Sequence, residues 1–188
     1  MTVPAIVLTF LLLLLIFWAV GARKRLVGLR SMLRNAFAQL DVQLKRRYNL
    51  IPHLVETSKT DLKQSRALLE LVIAARNEAV VANARAAADP GDATAVQAMA
   101  HSNAVLDAAL NQMLMQVQAC PALQARESMQ QQREELVDND NRIAFACQVY
   151  NDGVMQYNAS RAQFPGSIVA GLFGFRQAVL LHPAAATS

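Results

Sequence analysis

The sequence has few of the residues from which catalytic and metal sites are usually built. It contains two cysteines without a CxxC motif, and three histidines, none of which lies three positions after a glutamate. Zinc sites and the Glu-x-x-His pairs of di-iron helical bundles need such spacings. The GxSxG motif and glycine-rich phosphate loops are absent as well. We therefore expect no catalytic residue, no cofactor and no metal, and we interpret Cys120 and Cys147 as reduced thiols.

Charged residues are also scarce and nearly balanced. They make up 17% of the chain and give a net charge of +4. The basic run at residues 45–47 has no aromatic residues interleaved with it, as a nucleic-acid-binding face would have. We therefore expect no nucleic-acid partner.

The first 22 residues carry no charge at all, and positive charge follows at once. A helix over residues 3–22 would be about 30 Å long, which matches the hydrocarbon core of a bilayer. An indole near the charged end is typical of a membrane interface. The sequence therefore predicts a transmembrane anchor in contact with the lipid bilayer. Its indicative residues are Val3, Leu11, Trp18, Val20, Arg23, Lys24 and Arg25.

A cleaved signal peptide is the alternative interpretation of this segment. Signal peptides begin with positive charge and end in small residues at a cleavage site, whereas this apolar run has no basic residue before it. A permanent anchor is therefore favoured. Because the basic residues all follow the apolar run, the positive-inside rule places the N-terminus outside and the C-terminal domain in the cytoplasm.

The rest of the chain is patterned for helices. Apolar residues recur every three or four positions, and no stretch alternates with period two for long enough to predict a strand. Helix interruptions are predicted at Ile51-Pro52, Asp89–Asp92, Pro121 and Phe164–Gly166. We therefore predict an all-α fold, an antiparallel bundle of about four long helices following one N-terminal transmembrane helix.

Three regions follow from this pattern: an anchor at residues 1–22, a helical bundle at 23–166, and an apolar C-terminal segment and tail at 167–188. The last region is too short and too interrupted by glycine to span a bilayer. It either caps the open end of the bundle or contacts a partner or a membrane surface.

All three tyrosines precede an asparagine, and two of these pairs, Tyr150-Asn151 and Tyr157-Asn158, lie seven positions apart. Asparagine is a mediocre helix former, so its placement there needs compensation. A hydrogen bond to a neighbouring helix would provide it, and the same holds for Asn103. Exposure of the asparagines to water is the alternative.

The segment Asp41–Glu56 (DVQLKRRYNLIPHLVE) resembles the signature of the LemA family of bacterial membrane proteins. Further similarity lies in Ala74–Arg76, Asn141–Ala144, Tyr150-Asn151, Tyr157-Asn158 and Phe164-Pro165. The resemblance implies one N-terminal transmembrane helix in the inner membrane of a bacterium, a cytoplasmic helical bundle and no established biochemical activity.

The chain departs from the family pattern along one predicted seam. Cys147 stands where the family usually has arginine, and Asp140 where it has glutamate. The charge of Asp140 must then be compensated by Arg47, Arg76 or Arg142, or its pKa should rise. We expect a structural polar network drawn from Arg47, Tyr48, Arg76, Asn103, Asp140, Arg142, Asn151 and Asn158.

These features favour a non-enzymatic, membrane-anchored scaffold or adaptor that binds copies of itself or an unknown membrane protein. The alternative is a membrane-shaping or stress-linked module that acts on lipid by self-assembly, with the C-terminal apolar segment as the contact. A helical-bundle enzyme is a third class, which a copurifying cofactor would support.

Overall fold

The structure is a computed structural model that describes residues 3–62 and 65–181, without the side chains of residues 3–9 and 12. The described residues form helices and no strand, so the predicted all-α class is confirmed. The helices are α1 (Val3–Ser58), α2 (Arg66–Ala88), α3 (Ala93–Gln118), α4 (Pro121–Gln124), α5 (Glu127–Ala162) and α6 (Gly166–Phe173). The side chain of Val3 and the tail at 182–188 lie outside the described part.

The four long helices, α1, α2, α3 and α5, form an up-down-up-down bundle. α1 and α2 are antiparallel. Asp41 contacts Asn83, whereas Tyr48, further along α1, contacts Arg76, which lies earlier on α2. α3 begins directly after the tight turn that follows α2. The Asp92 carboxylate accepts a hydrogen bond from the backbone N–H of Thr94 and so caps α3.

The last long helix, α5, lies antiparallel against α1 over most of its length. Gln132, near its start, donates a hydrogen bond to Thr57 at the end of α1. Phe164, just after its end, packs on Trp18 near the start of α1. α1 thus packs against both α2 and α5, and its N-terminal end extends beyond the bundle.

We expected Pro52 to interrupt the first helix, and this prediction is wrong. α1 continues through Pro52 to Ser58. Proline has no N–H to donate to the carbonyl four residues before it, which here belongs to Tyr48. The guanidinium of Arg76 donates to that carbonyl instead, so the helix retains the proline with its acceptor satisfied.

The heptad pattern locates the core of the two later helices. On α3 the buried seam residues are Val96, Met99, Leu106, Leu110, Met113 and Val117. On α5 they are Met129, Leu136, Cys147, Tyr150, Val154 and Tyr157. The heptad pattern of α5 in the sequence also includes Phe164, but this residue lies after the end of the helix and is 67% exposed.

The N-terminal part of α1 runs through the expected anchor boundary at residue 22 without a break. Its described large apolar side chains are exposed, among them Phe10, Leu11, Phe17, Trp18 and Val20. Among the residues whose side chains the structure describes, 10–11, 13–62 and 65–181, no helical stretch combines the length and the apolar character needed to cross a membrane. The expected transmembrane helix is therefore not confirmed and stays a prediction.

Candidate functional site

Arg47 lies where α1 faces both α3 and α5, and it contacts an aspartate on each. Its Nη1 is 2.5 Å from Oδ1 of Asp107 on α3, and its Nε is 3.2 Å from Oδ1 of Asp140 on α5. The Arg47 residue is only 8% exposed, whereas the Asp140 side chain is 43% exposed. The structure thus places Arg47, of the three arginines considered for Asp140, beside that carboxylate.

The surroundings of Asp140 disfavour its charged form overall. Burial raises its pKa, the Arg47 guanidinium lowers it and the Asp107 carboxylate raises it, with a net increase from the ordinary value. The contacting Nε and Oδ1 atoms have no hydrogen-bond partner among the described residues. These contacts are therefore ion pairs without aligned hydrogen bonds, in which desolvation offsets much of the attraction.

Tyr48 connects the same face of α1 to α3. Its hydroxyl donates to Oδ1 of Asn103 over 2.9 Å, and Nδ2 of Asn103 donates to the carbonyl of Met99 over 2.9 Å. Burial raises the pKa of Tyr48 to about 12, because desolvation disfavours the phenolate. Asn103 is thereby satisfied at both ends, which explains a half-buried amide on a helix seam.

Arg142 does not join this group. It lies on the surface of α5, where its Nε donates to Oδ2 of Asp138 four residues earlier over 2.9 Å. Arg76 is close to Tyr48 but binds the main-chain carbonyl of that residue, over 3.0 Å. The expected network therefore separates into a group around Arg47 and Tyr48 and a second group on the C-terminal half of α5.

The second group binds residues 175–181, an irregular stretch that we name the C-terminal segment. The Tyr157-Asn158 pair binds the earlier residues of the C-terminal segment. The Tyr157 hydroxyl donates to the Arg176 carbonyl over 2.9 Å. Nδ2 of Asn158 donates to the Ala178 carbonyl over 2.8 Å, and the Ala178 N–H donates to Oδ1 of Asn158 over 3.1 Å.

Tyr150-Asn151 repeats this arrangement three residues further along the C-terminal segment. The Tyr150 hydroxyl donates to the Val179 carbonyl over 3.2 Å, a shorter contact than its 3.5 Å to the Pro90 carbonyl. Nδ2 of Asn151 donates to the Leu181 carbonyl over 2.6 Å, and the Leu181 N–H donates to Oδ1 over 2.8 Å. We name the four side chains, Tyr150, Asn151, Tyr157 and Asn158, the Tyr-Asn ladder.

Burial also perturbs the tyrosines of the Tyr-Asn ladder. Desolvation, with a smaller contribution from the Cys147 thiol, raises the pKa of Tyr150 to about 12. Desolvation likewise raises the pKa of Tyr157, which Arg30 and Arg161 partly offset. Both hydroxyls therefore remain protonated donors throughout the physiological range.

A third group of contacts lies where the bundle ends and the uncharged part of α1 begins. The rings of Trp18 and Phe164 meet edge to face with centroids 4.6 Å apart. The Arg23 guanidinium lies 5.0 Å from the centroid of the Phe173 ring on α6. These contacts place α6 beside the basic flank of the expected anchor, where Lys24 and Arg25 are exposed.

The described surface offers little that could hold a small ligand. A hollow of about 350 Å³ between α1 and α5 is lined by Gln39, Gln43, Asn141, Arg142, Phe145 and Ala146. No group of three or more histidine, cysteine, aspartate or glutamate side chains within residues 3–62 and 65–181 is placed to hold a metal ion. The polar side chains around Arg47 and Tyr48 make ion pairs and hydrogen bonds with other helices, and those on the C-terminal half of α5 bind main-chain groups.

The model of the LemA family matches residues 36–188. The chain belongs to the LemA family. A search of the curated proteins finds no match to it. The LemA match includes the Arg47 group, the Tyr-Asn ladder and the C-terminal segment, and it begins 13 residues after Arg23 (36 − 23).

Sequence reasoning on this LemA-family chain missed Asp107, the closer of the two aspartates to Arg47. It lies one position after Leu106 on the α3 seam, and its place beside a cation on another helix depends on tertiary packing. It also missed that the tyrosine hydroxyls of the Tyr-Asn ladder bind the C-terminal segment. The seven-residue repeat of Tyr-Asn was the available signal, but it pointed to a helix as partner, and the partner is an irregular segment.

Proposed function

We propose that this LemA-family protein is a membrane-anchored, non-enzymatic helical scaffold or adaptor at the cytoplasmic face of a bacterial inner membrane. The observation that carries the proposal is the N-terminal part of α1. Residues 3–22 of this helix are uncharged, and the described large side chains among them are exposed, with Phe10 at 70% and Phe17 at 79%. Such a contiguous apolar surface is unfavourable in water and favourable in hydrocarbon.

The basic flank supports the orientation. Arg23, Lys24 and Arg25 follow the uncharged segment directly. Basic residues stay preferentially on the cytoplasmic side of a membrane. The bundle and both polar groups then lie in the cytoplasm.

The continuity of α1 supports a scaffold. The 56-residue helix joins the uncharged segment to the bundle without a hinge and spans about 84 Å. A continuous helix fixes the bundle at a set distance from the membrane, where it presents surfaces to other copies or to a membrane protein partner.

A membrane-shaping module is the second candidate, and α6 is the observation that favours it. Ile168, Leu172 and Phe173 are exposed on this short helix, and the Phe173 ring lies beside the Arg23 guanidinium. If the uncharged part of α1 spans the bilayer, these side chains lie at the height of the lipid headgroups. Apolar side chains inserted at that depth bind lipid and respond to curvature.

Membrane anchorage is tested by fractionation of cells that express the full-length protein. Replacement of Leu13 and Ile16 by arginine should move the protein from the membrane fraction to the soluble fraction, because a charge at the bilayer centre costs about 3 kcal/mol. Met32→Arg is the matched control, since Met32 is similarly exposed on α1 but outside the uncharged segment. Retention of the double variant in carbonate-washed membranes would refute the anchor.

The two candidates are separated by lipid and partner experiments on the full-length protein. Deformation of liposomes that is lost in Leu172→Asp but kept in Leu71→Asp, an exposed position on α2, would favour membrane shaping. In-cell crosslinking that recovers one defined membrane protein would favour the adaptor.

A further inference from the structure

The Tyr-Asn ladder recognises the main chain of its partner. All six of its hydrogen bonds with the C-terminal segment go to carbonyl or N–H groups of that segment. Each pair makes the same set: the tyrosine binds one carbonyl, and the asparagine binds both main-chain groups of the residue two positions later. A bidentate amide of this kind satisfies main-chain groups that would otherwise need water.

The spacing of the ladder fits an extended chain. Seven residues of α-helix advance by about 10.5 Å, and three residues of extended or polyproline-like chain advance by about 9–10 Å. The pairs on α5 are seven residues apart, and the residues that their asparagines bind, Ala178 and Leu181, are three apart. The register therefore repeats, with the segment antiparallel to α5.

Two side chains of the C-terminal segment are buried, and the Phe175 side chain packs against the core while partly exposed. Ala178 and Leu181 are buried, whereas Arg176, Gln177 and Leu180 are exposed. The site consequently accepts an extended peptide with a small residue followed three positions later by an aliphatic one. Ala178 and Leu181 of this chain are such a pair.

We propose that the Tyr-Asn ladder is a docking site for the C-terminal segment of a second copy of this chain. The segment seated on the ladder shows that the two are complementary, and the same six hydrogen bonds form whether it comes from the same copy or another. The segment is joined to α6 through Gly174, whose φ of +67° makes a turn there. Exchange at this turn alters the connection between α6 and the segment and leaves the four long helices in place, a low-cost route to dimers.

The proposal goes beyond the membrane scaffold and does not depend on it. In a single copy the short connection favours the intramolecular contact through its high effective concentration. A test must therefore remove that contact without removing the intermolecular one. Two full-length variants that complement each other do so.

The first variant carries Ala178→Asp and Leu181→Asp, which spoil the segment and keep the ladder. The second carries Asn151→Ala and Asn158→Ala, which spoil the ladder and keep the segment. The two variants, differently tagged and mixed in detergent, should copurify at least about tenfold more than either does with itself, because only the mixed pair has an intact ladder and an intact segment. Copurification no greater than in the single-variant mixtures would overturn the proposal.

A peptide measurement keeps the proposal testable if the ladder variant fails to fold. A labelled peptide of sequence Phe-Arg-Gln-Ala-Val-Leu-Leu, residues 175–181, should bind the full-length Ala178→Asp/Leu181→Asp variant, in which every bundle residue is unchanged. N-methylation at its last leucine removes the N–H that donates a hydrogen bond to Oδ1 of Asn151, and it should weaken binding at least about tenfold. N-methylation at the preceding leucine, whose side chain is exposed, should leave binding unchanged. No binding, or equal binding of all three peptides, would overturn the proposal.

Discussion

The guanidinium of Arg76 on α2 donates a hydrogen bond from Nε to the main-chain carbonyl of Tyr48 on α1, over 3.0 Å. In an unbroken helix that carbonyl would accept from the N–H of residue 52, which is a proline here. One long side chain thus replaces a missing main-chain donor on another helix. This explains how α1 contains a proline six residues before its end.

Loss of Arg76 should therefore leave a carbonyl without a partner. We expect Arg76→Ala to lower the free energy of unfolding by about 1–3 kcal/mol, the cost of an unsatisfied acceptor. In a Pro52→Ala background the restored N–H supplies the partner, so Arg76→Ala should cost less than about 1 kcal/mol there. Denaturant unfolding of the four proteins measures the coupling. Equal costs in both backgrounds would show that Arg76 acts through other contacts.

Pro52 also shows what sequence reasoning could not reach. The local rule that proline ends a helix is sound for an isolated helix, and the sequence around Pro52 contains nothing that contradicts it. The compensation lies 28 residues away along the chain, on a different helix. Helix boundaries of this kind are decided by tertiary contacts.

Arg47 supplies the second prediction. Its guanidinium is the cation between the carboxylates of Asp107 and Asp140, so Arg47→Met leaves two acids without compensation. We expect a loss of about 3–5 kcal/mol in the free energy of unfolding at neutral pH. Denaturant unfolding measures it, with Arg142→Met as control, since that exposed pair with Asp138 should be worth less than about 1 kcal/mol.

The pH dependence of the Arg47→Met variant has a definite sign. Burial and the second carboxylate raise the pKa of Asp140, and removal of Arg47 removes the one group that lowers it. The folded variant then binds more protons than its unfolded chain between the unfolded and folded pKa values. Its stability should fall as pH rises through that interval and recover on acidification. A deficit that stays constant from pH about 7 to about 5 would contradict this account.

The Tyr-Asn ladder supplies the third prediction, at Arg176. The exposed side chain of Arg176 is a trypsin site on a segment that the ladder holds to α5. Asn158→Ala removes two hydrogen bonds with Ala178. We expect it to lower the free energy of detaching the segment by about 1–2 kcal/mol, which raises the detached population by a factor of roughly 5–30. Limited trypsin digestion should cut after Arg176 faster by that factor.

Asn49→Ala is the matched control for the trypsin experiment. Asn49 also follows a tyrosine, Tyr48, but it is exposed on α1, away from the C-terminal segment. Its replacement should leave cleavage after Arg176 unchanged. Equal acceleration in both variants would mean that the ladder does not hold the segment.

The contrast between the heptads and the ladder shows which parts of the fold were predictable. Leu106 and Met113 on α3 are buried as their spacing requires, because burial of a helix face follows from a local period. The partner of Asn151 follows no local period, since it is the main chain of Leu181 in an irregular segment. The sequence showed that these asparagines needed partners, and only the structure identifies them.

Cys147 supplies the last prediction. Burial raises the pKa of its thiol to about 11, so at pH about 8.5 it is almost wholly in the unreactive protonated form. In a Cys120→Ser background, we expect labelling of the native protein by a thiol reagent to be slower by on the order of a hundredfold than labelling in denaturant. The raised pKa also means that the native state holds a proton that the unfolded state loses above pH about 8.5, so stability should fall as pH rises towards 11, and less steeply in Cys147→Ala. Rapid labelling of the native protein would instead place Cys147 in an accessible, ionisable position.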